Sequence, residues 1–377
     1  MDYDKLALDL HKQFKGKITT TLRDTSELDK TKLSAYYTPG VAAVSRAIAD
    51  DPSLLPVYTW TNNLVAVISD GSAVLGLGDI GPRGSMPVME GKALLFKHFA
   101  GIDSVPITLD VHTVDEIVAT VKAIAPSFGA INLEDIAAPK CFEIEERLKV
   151  ELDIPVFHDD QHGTAVVVLS GLINAMKVVN KTLSETKIVI IGAGAAGTAI
   201  TKLLHAYAKP RIIAVDSKGI IGSSRTDLNA EKTALFDYID TSQSGSLDDA
   251  IQDADIFIGV SRPGLLSAEH IGKMAADPVI FALANPTPEI MPDEAKQAGA
   301  AVIATGRSDF PNQVNNALAF PGIFRGALDN GVHRITDIHK IAAAEAIAGL
   351  IEHPTADNVI PTVFDTRLVP AISEVIR

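Results

Sequence analysis

Two pairs of adjacent carboxylates, a lysine in an apolar run and a glycine-rich turn are the residues here whose types and spacing can do chemistry. Glu134-Asp135 and Asp159-Asp160 each follow a short apolar run, Ala130–Leu133 and Ile154–His158, that predicts a β-strand. In an open α/β sheet the carboxyl ends of the strands face the ligand crevice. Like charges held close together push carboxyl pKa values up unless a cation neutralises them. Three or four such oxygens suit Mg2+ or Mn2+, and no Cys/His set for zinc is present. Adjacent acids also cap helices, so spacing alone leaves metal binding and capping both open. His158 and His162 flank the second pair, either as ligands or, more ordinarily, as hydrogen-bonded structural groups.

Lys92 lies inside PVMEGKALLF. Burial there lowers its pKa towards that of a useful base, whereas lysines in such runs more often snorkel to solvent. Tyr36-Tyr37-Thr38-Pro39-Gly40 reads as a turn presenting two phenols, which taken alone are packing residues. Asn285-Pro286 ends a predicted strand, and Asn315-Asn316 sits in the irregular segment FPNQVNN. Such asparagines commonly form turns; facing a crevice, they bind carboxylate or amide groups.

The turn is Gly192-Ala193-Gly194-Ala195-Ala196-Gly197. A lone GxGxxG is weak, but this one has its full context. The strand Lys187–Ile191 precedes it, a helix to about Tyr207 follows it, and the next strand, Arg211–Val215, ends in Asp216. Gly192 permits the tight turn, Gly194 admits a pyrophosphate and Gly197 allows close helix–strand packing. The helix N-terminus offers free N–H groups to phosphates. Asp216 stands 19 positions after Gly197, the offset of an acid that binds ribose hydroxyls. That acid favours NAD over NADP, although Lys218 and Arg225 stand near enough to offset its charge.

These groups need elements to hold them. Leu64–Ser69 and Ser104–Asp110 read as further strands in the first half, Val114–Ala125 as an amphipathic helix and Gly163–Asn180 as a long apolar one. Asp255–Val260, Val279–Leu283 and Val302–Ala304 continue the strands of the second half. The alternation predicts an α/β class: a C-terminal Rossmann-like, doubly wound parallel sheet domain and an N-terminal α/β catalytic domain. The change falls between Asp153 and Gly163, written as 1–155 and 156–377, with the helices after about Asp337 carried in the second unit. The 377 residues, 47% hydrophobic, suffice for two packed domains. A net charge of -14 makes nucleic acid and anionic membranes poor partners. The single cysteine, Cys141, rules out an intrachain disulfide and agrees with a reducing compartment. Met1 to Lys17 holds no apolar core of signal-peptide type, and no stretch of 18 uninterrupted apolar residues occurs. A cytoplasmic enzyme is expected.

The ordered blocks YYTPGVA, SDGSAVLGLGDIG, PVMEGKALLF, INLEDIAAPKCFEIE, PVFHDDQHGTA, IVIIGAGAAG, FALANPTPE and FPNQVNNALAFPGIFRGAL, spread from about Ser34 to Leu328, resemble the malic enzymes, in particular the short bacterial type. The resemblance implies oxidative decarboxylation of malate to pyruvate and CO2, with NAD or NADP and Mg2+ or Mn2+, by a homodimer. It implies Tyr37 as general acid, Lys92 as general base in contact with substrate, and Glu134, Asp135 and Asp160 as metal ligands beside Asp159. Asn285 and Asn316 match residues at the substrate or the nicotinamide, with Asn315 sharing that work, and Gly192 to Gly197 matches the pyrophosphate loop. Ala73 stands where larger members carry an arginine for a substrate carboxylate, as in other short members, which leaves that partner unnamed. Nothing explains Arg83-Gly84-Ser85. Two alternatives remain: an oxaloacetate decarboxylase on the same scaffold, and a non-catalytic nucleotide-binding regulator.

Overall fold

The computed structural model describes residues 3–14, 17–74 and 76–377. Leu75 of the SDGSAVLGLGDIG block, and Met1, Asp2, Lys15 and Gly16 of the N-terminal reading, lie outside the described residues. Two sheets organise the remainder. The first contains β1 (Leu64–Ser69), β2 (Asp103–Thr108), β3 (Ala130–Leu133) and β4 (Val156–His158), all parallel, in the order β2-β1-β3-β4. The second contains β5 (Lys187–Ile191), β6 (Arg211–Asp216), β7 (Gly219–Ile220), β8 (Ile256–Gly259), β9 (Val279–Ala282) and β10 (Val302–Thr305). Its order is β10-β9-β8-β5-β6-β7, parallel except for the short β7. β1, β3, β8 and β9 are fully buried, as strands covered on both faces require, whereas the edge strand β2 is half-buried throughout.

Side-chain alternation along β1 divides the core. Val65 and Val67 join a cluster that runs on through both sheets, while Leu64, Ala66 and Ile68 pack against the helices Val114–Ile124 and Lys140–Glu151. The join between the sheets is the helix Asp159–Val179. It leaves β4 directly and buries 14 of its 21 residues. By length and composition it could cross a membrane, but two-thirds of its apolar window is buried inside the protein, so it is a core helix. A second join is aromatic. Phe96 of the helix Gly81–Ala100 packs edge-on against Phe320 and Phe324 of the helix Phe320–Asn330, at 4.7 and 5.1 Å.

Two expectations shift. The long apolar helix starts at Asp159 rather than Gly163, because two acids in the first turn suit a helix N-terminus. Asp159 and Asp160 therefore open a helix instead of ending a strand. β4 is the edge strand of the first sheet, so the chain changes sheet after His158, a few residues past the 155/156 division.

Candidate active site

The carboxyl ends of both sheets meet at one crevice. Gly76, in the loop after β1, lies so close to the end of β9 that a Cβ there would meet the Asn285 carbonyl at 2.9 Å. Gly306, just after β10, would likewise meet the Asn285 side chain at 3.0 Å. Glycine on both sides thus leaves Asn285 a narrow, exposed slot between the sheets.

On the first-sheet side, Glu134 and Asp135 follow β3. The Glu134 N–H continues the ladder to the Ile68 carbonyl (2.8 Å). Asp135 takes a left-handed φ of 52°, which aspartate tolerates better than most residues, and its N–H donates to Asp160 Oδ2 (2.8 Å). Oxygens of Glu134, Asp135 and Asp160 lie within 4.8 Å of one another. Asn132 Nδ2 donates to Glu134 Oε2 (3.0 Å). Lys92 enters from the helix Gly81–Ala100 and is 8% exposed. Its Nζ contacts Asp159 Oδ2, reaches Glu134 Oε1 at 3.0 Å and donates to Asn316 Oδ1 at 3.2 Å. It also lies 4.6 Å from the centre of the Phe320 ring. The lysine does not snorkel; it is the buried cation of an acidic site.

Burial alone would favour the neutral amine of Lys92, but Asp159, Glu134 and Asp160 more than offset it and hold the proton on. Burial pushes Glu134 well up, as does the charge of Asp160, and burial likewise raises Asp159. Four acids around one lysine leave a surplus of buried negative charge. Asp159 Oδ1, Asn132 Oδ1 and both ring nitrogens of His158 are buried without a hydrogen-bond partner among the described residues. An all-oxygen cluster with excess negative charge and unmet polar neighbours fits a hard divalent cation. Capping does not account for it, since the acids converge from two elements.

Sequence patterning assigns no site role to Glu145 or Gly163. Glu145 accepts from the His158 N–H (3.0 Å), His162 Nε2 (2.8 Å) and Lys149 Nζ (2.9 Å), fixing the junction of β4 with the following helix. Burial would raise it, but His162 and Lys149 hold it well below the usual carboxylate range. Its signal was an acid beside the apolar stripe Cys141, Ile144, Leu148. A Cβ on Gly163 would meet Asp159 Oδ1 at 1.9 Å, so only glycine lets that carboxylate stand against Lys92.

On the second-sheet side the glycines take the expected places. Gly192 has φ +111° and faces the Val260 carbonyl; Gly197 would strike the Gly192 carbonyl at 1.8 Å; Gly194 faces open space, with Ala193, Ala195 and Ala196 between them. The helix Ala195–Ala208 begins at that opening, so the turn fits a pyrophosphate. Beyond it, a cleft of about 660 Å3 lies between the end of β6 and the loop after β8. Asp216 borders it.

Two expected residues are not brought in. Tyr37 follows the helix Lys30–Tyr36 and is 69% exposed, and no hydrogen bond or ion pair links it to the cluster among the described residues. Asn315 turns its Oδ1 back onto the Ala317 N–H (2.9 Å) as a helix cap, leaving Asn316 as the one that meets Lys92.

Family models described as "Malic enzyme, N-terminal domain" and "Malic enzyme, NAD binding domain" match residues 15–114 with 111–149, and 161–374. A "Bifunctional malic/malolactic enzyme" of Bacillus subtilis is 54% identical over 98% of this chain and 91% of its own length. An "NADP-dependent malic enzyme" of Halomonas elongata is 48% identical over 98% of this chain and 92% of its own. A crystal structure of an NAD-dependent malic enzyme from Thermotoga maritima superposes with a TM-score of 0.95 at 51% identity, covering 98% of each chain. With models spanning both halves and relatives this similar over nearly its full length, the chain belongs to the malic enzyme family.

Proposed function

We propose that this chain catalyses the oxidative decarboxylation of malate to pyruvate and CO2 with reduction of NAD or NADP. The observation that carries the reading is Lys92, buried among Glu134, Asp159 and Asn316 at the edge of a three-carboxylate cluster that faces the dinucleotide fold. Glu134, Asp135 and Asp160 would hold the divalent cation, Mg2+ or Mn2+, and the loop 192–197 the pyrophosphate. Held there, the cation would supply Lewis acidity at the C2 oxygen and the dinucleotide a hydride acceptor.

The protein's own groups then move the protons. Lys92 takes the proton of the C2 hydroxyl, oriented by Asp159 on one side and Asn316 on the other. Glu134 and Asp160, two of the three acids that hold the Lys92 proton, would be neutralised as ligands of the cation; Lys92 then gives that proton up to solvent and is free to act as the base. Asn285, in the loop after β9, and Asn316, which meets Lys92, bind the substrate or the nicotinamide amide. Tyr37 returns a proton to C3 after the carboxylate beta to C2 leaves as CO2. Because Tyr37 is exposed in a single copy, this role goes with a homodimer. The same assembly is supported by the segment it sits on: the helices Lys30–Tyr36, Val41–Asp50 and Leu55–Tyr58 bury no residue, while Leu33, Val44, Val57 and Tyr58 stand exposed. We place the division into two functional units near His158, and a cytoplasmic setting belongs to the same proposal, supported by the lone buried cysteine.

The test is a matrix of malate or oxaloacetate against NAD or NADP, with and without Mn2+. Reduced coenzyme, pyruvate and CO2 in equal amounts, all metal-dependent, are expected. CO2 from oxaloacetate with no reduced coenzyme from malate would replace the proposal with a decarboxylase. Lactate is measured alongside, because the Bacillus relative's name carries a malolactic activity.

A further inference from the structure

The acid at the end of β6 is closed to a ribose. A carboxylate offers about four lone-pair sites, and protein donors take four on Asp216. Oδ1 accepts from the Lys218 N–H (2.8 Å) and Arg225 Nη1 (3.1 Å); Oδ2 accepts from Lys232 Nζ (2.5 Å) and Arg225 Nη2 (3.3 Å). Arg225 is locked in place, since its Nε and Nη2 also donate to Asp227 at 2.6 and 3.0 Å. An acid that selects NAD must accept hydrogen bonds from the ribose hydroxyls and repel a 2′-phosphate. Asp216 has neither a vacant lone pair nor an unbalanced charge with which to do so.

The cleft beside it has the opposite character. Ser217, Lys218, Ser224, Arg225, Ser246 and Arg262 line it, together with β6 backbone and apolar side chains. Arg262, on the loop after β8, is exposed and makes no hydrogen bond or ion pair among the described residues. That loop is anchored at its base: the buried Glu289 accepts from the Ser261 and Ala284 N–H groups, both at 3.0 Å. Lys218 extends from the other lip, 65% exposed, towards Asp227 (2.7 Å). Among the described residues the charged groups lining the cleft are Lys218, Arg225 and Arg262 against Asp216, a surplus of two positive charges that Lys232 on Asp216 and Asp227 on Lys218, both outside the lining, leave unchanged. A phosphate monoester carries about -1.5 to -2 at neutral pH.

We infer that this cleft is a 2′-phosphate site, in which Asp216 is a post that holds Arg225 and Lys232 while Lys218 and Arg262 receive the phosphate, so that the chain takes NADP in preference to NAD. The inference rests on the proposed dinucleotide reading of the 192–197 turn and names the coenzyme that reading leaves open. The Ser217 and Ser224 hydroxyls supply additional donors to a phosphate, while the Ser246 hydroxyl is already donated to Asp249 (2.9 Å).

Calorimetric titration of the full chain with ADP-ribose and with 2′-phospho-ADP-ribose tests it without any turnover. The two probes differ only in the phosphate. The phosphorylated probe is expected to bind at least about tenfold more tightly at low salt, the equivalent of one good charge-assisted contact, with the gap narrowing as salt rises. Arg262→Ala and Lys218→Ala, both at exposed positions, each reduce the gap, and the double variant abolishes it. Equal affinities, or tighter binding of ADP-ribose, would overturn the inference while leaving the dinucleotide site standing. A gap that survives the double variant overturns the assignment of the phosphate to these residues. Binding of neither probe would remove the dinucleotide reading itself.

Discussion

Replacing Gly163 with alanine separates catalysis from stability at one methyl group. The added Cβ meets Asp159 Oδ1 at 1.9 Å, and Asp159 Cγ and Asn316 Cβ both at 3.0 Å. Ordinary contact begins at 3.4 Å, so the carboxylate must yield by about 1.5 Å. Asp159 is fully buried and its other oxygen is on Lys92. It has no solvent-facing rotamer to adopt, so relief of the clash pulls Oδ2 off the lysine. A displacement near 1 Å at a catalytic group costs on the order of 100-fold in rate, or about 2.7 kcal/mol of transition-state stabilisation. Strain and a weakened buried contact remove about 1–3 kcal/mol of stability as well.

Gly171→Ala is the control. It lies two turns further along the same helix, about 12 Å away at 1.5 Å per residue. Its Cβ meets the Ile360 side chain at 2.8 and 2.9 Å and Phe281 Cε1 at 3.0 Å, a purely apolar overpacking of about 1–3 kcal/mol. Both variants are therefore expected to lose comparable Tm. Only Gly163→Ala should lower kcat/KM for malate, by about 100-fold, whereas Gly171→Ala stays within about twofold. Reduced-coenzyme absorbance and thermal unfolding on the same preparations read both quantities. Wild-type kcat/KM in Gly163→Ala would refute the placement of Asp159 against Lys92, and an equal rate loss in Gly171→Ala would show that general destabilisation explains both.

Lys92→Ala is expected to abolish malate oxidation and pyruvate formation while the fold, followed by circular dichroism, survives; normal turnover would sink the base assignment. Tyr37→Phe should impair CO2 release from supplied oxaloacetate and protonation at C3, and unchanged oxaloacetate decarboxylation would remove Tyr37 from the mechanism. Glu134→Gln or Asp160→Asn should weaken Mn2+ binding at least 10–100-fold, on the order of what removing a mere neighbour of a ligand does; equilibrium dialysis that finds wild-type affinity would dissolve the metal site. Burial pushes the Cys141 thiol up to about 12. Its thiolate is then scarce at pH 8, and iodoacetamide should label the native chain only as fast as it unfolds; rapid labelling of folded protein would contradict the buried placement.

Local sequence was enough for the strands, the GxGxxG turn and the acids at element ends, because each is dictated by short-range rules. β-Branched apolar runs make parallel strands, glycine serves where backbone approaches backbone, and two acids suit a helix start. The boundaries moved only slightly, as at β4 and the first turn of the following helix. Residues far apart in the chain were another matter. Whether Lys92 snorkels or is buried depends on Phe320 and Asn316, more than 220 positions away, and on Asp159, which stands against it because Gly163 has no side chain. Spacing left Glu134, Asp135 and Asp160 open between capping and metal binding; that their oxygens converge from two elements to within 4.8 Å is visible only in the fold. The offset of Asp216 from Gly197 marks where an acid stands but not that Arg225 and Lys232 already occupy its lone pairs. A carboxylate's role is set by the charges and donors packed around it, and that neighbourhood exists only once distant segments have been brought together.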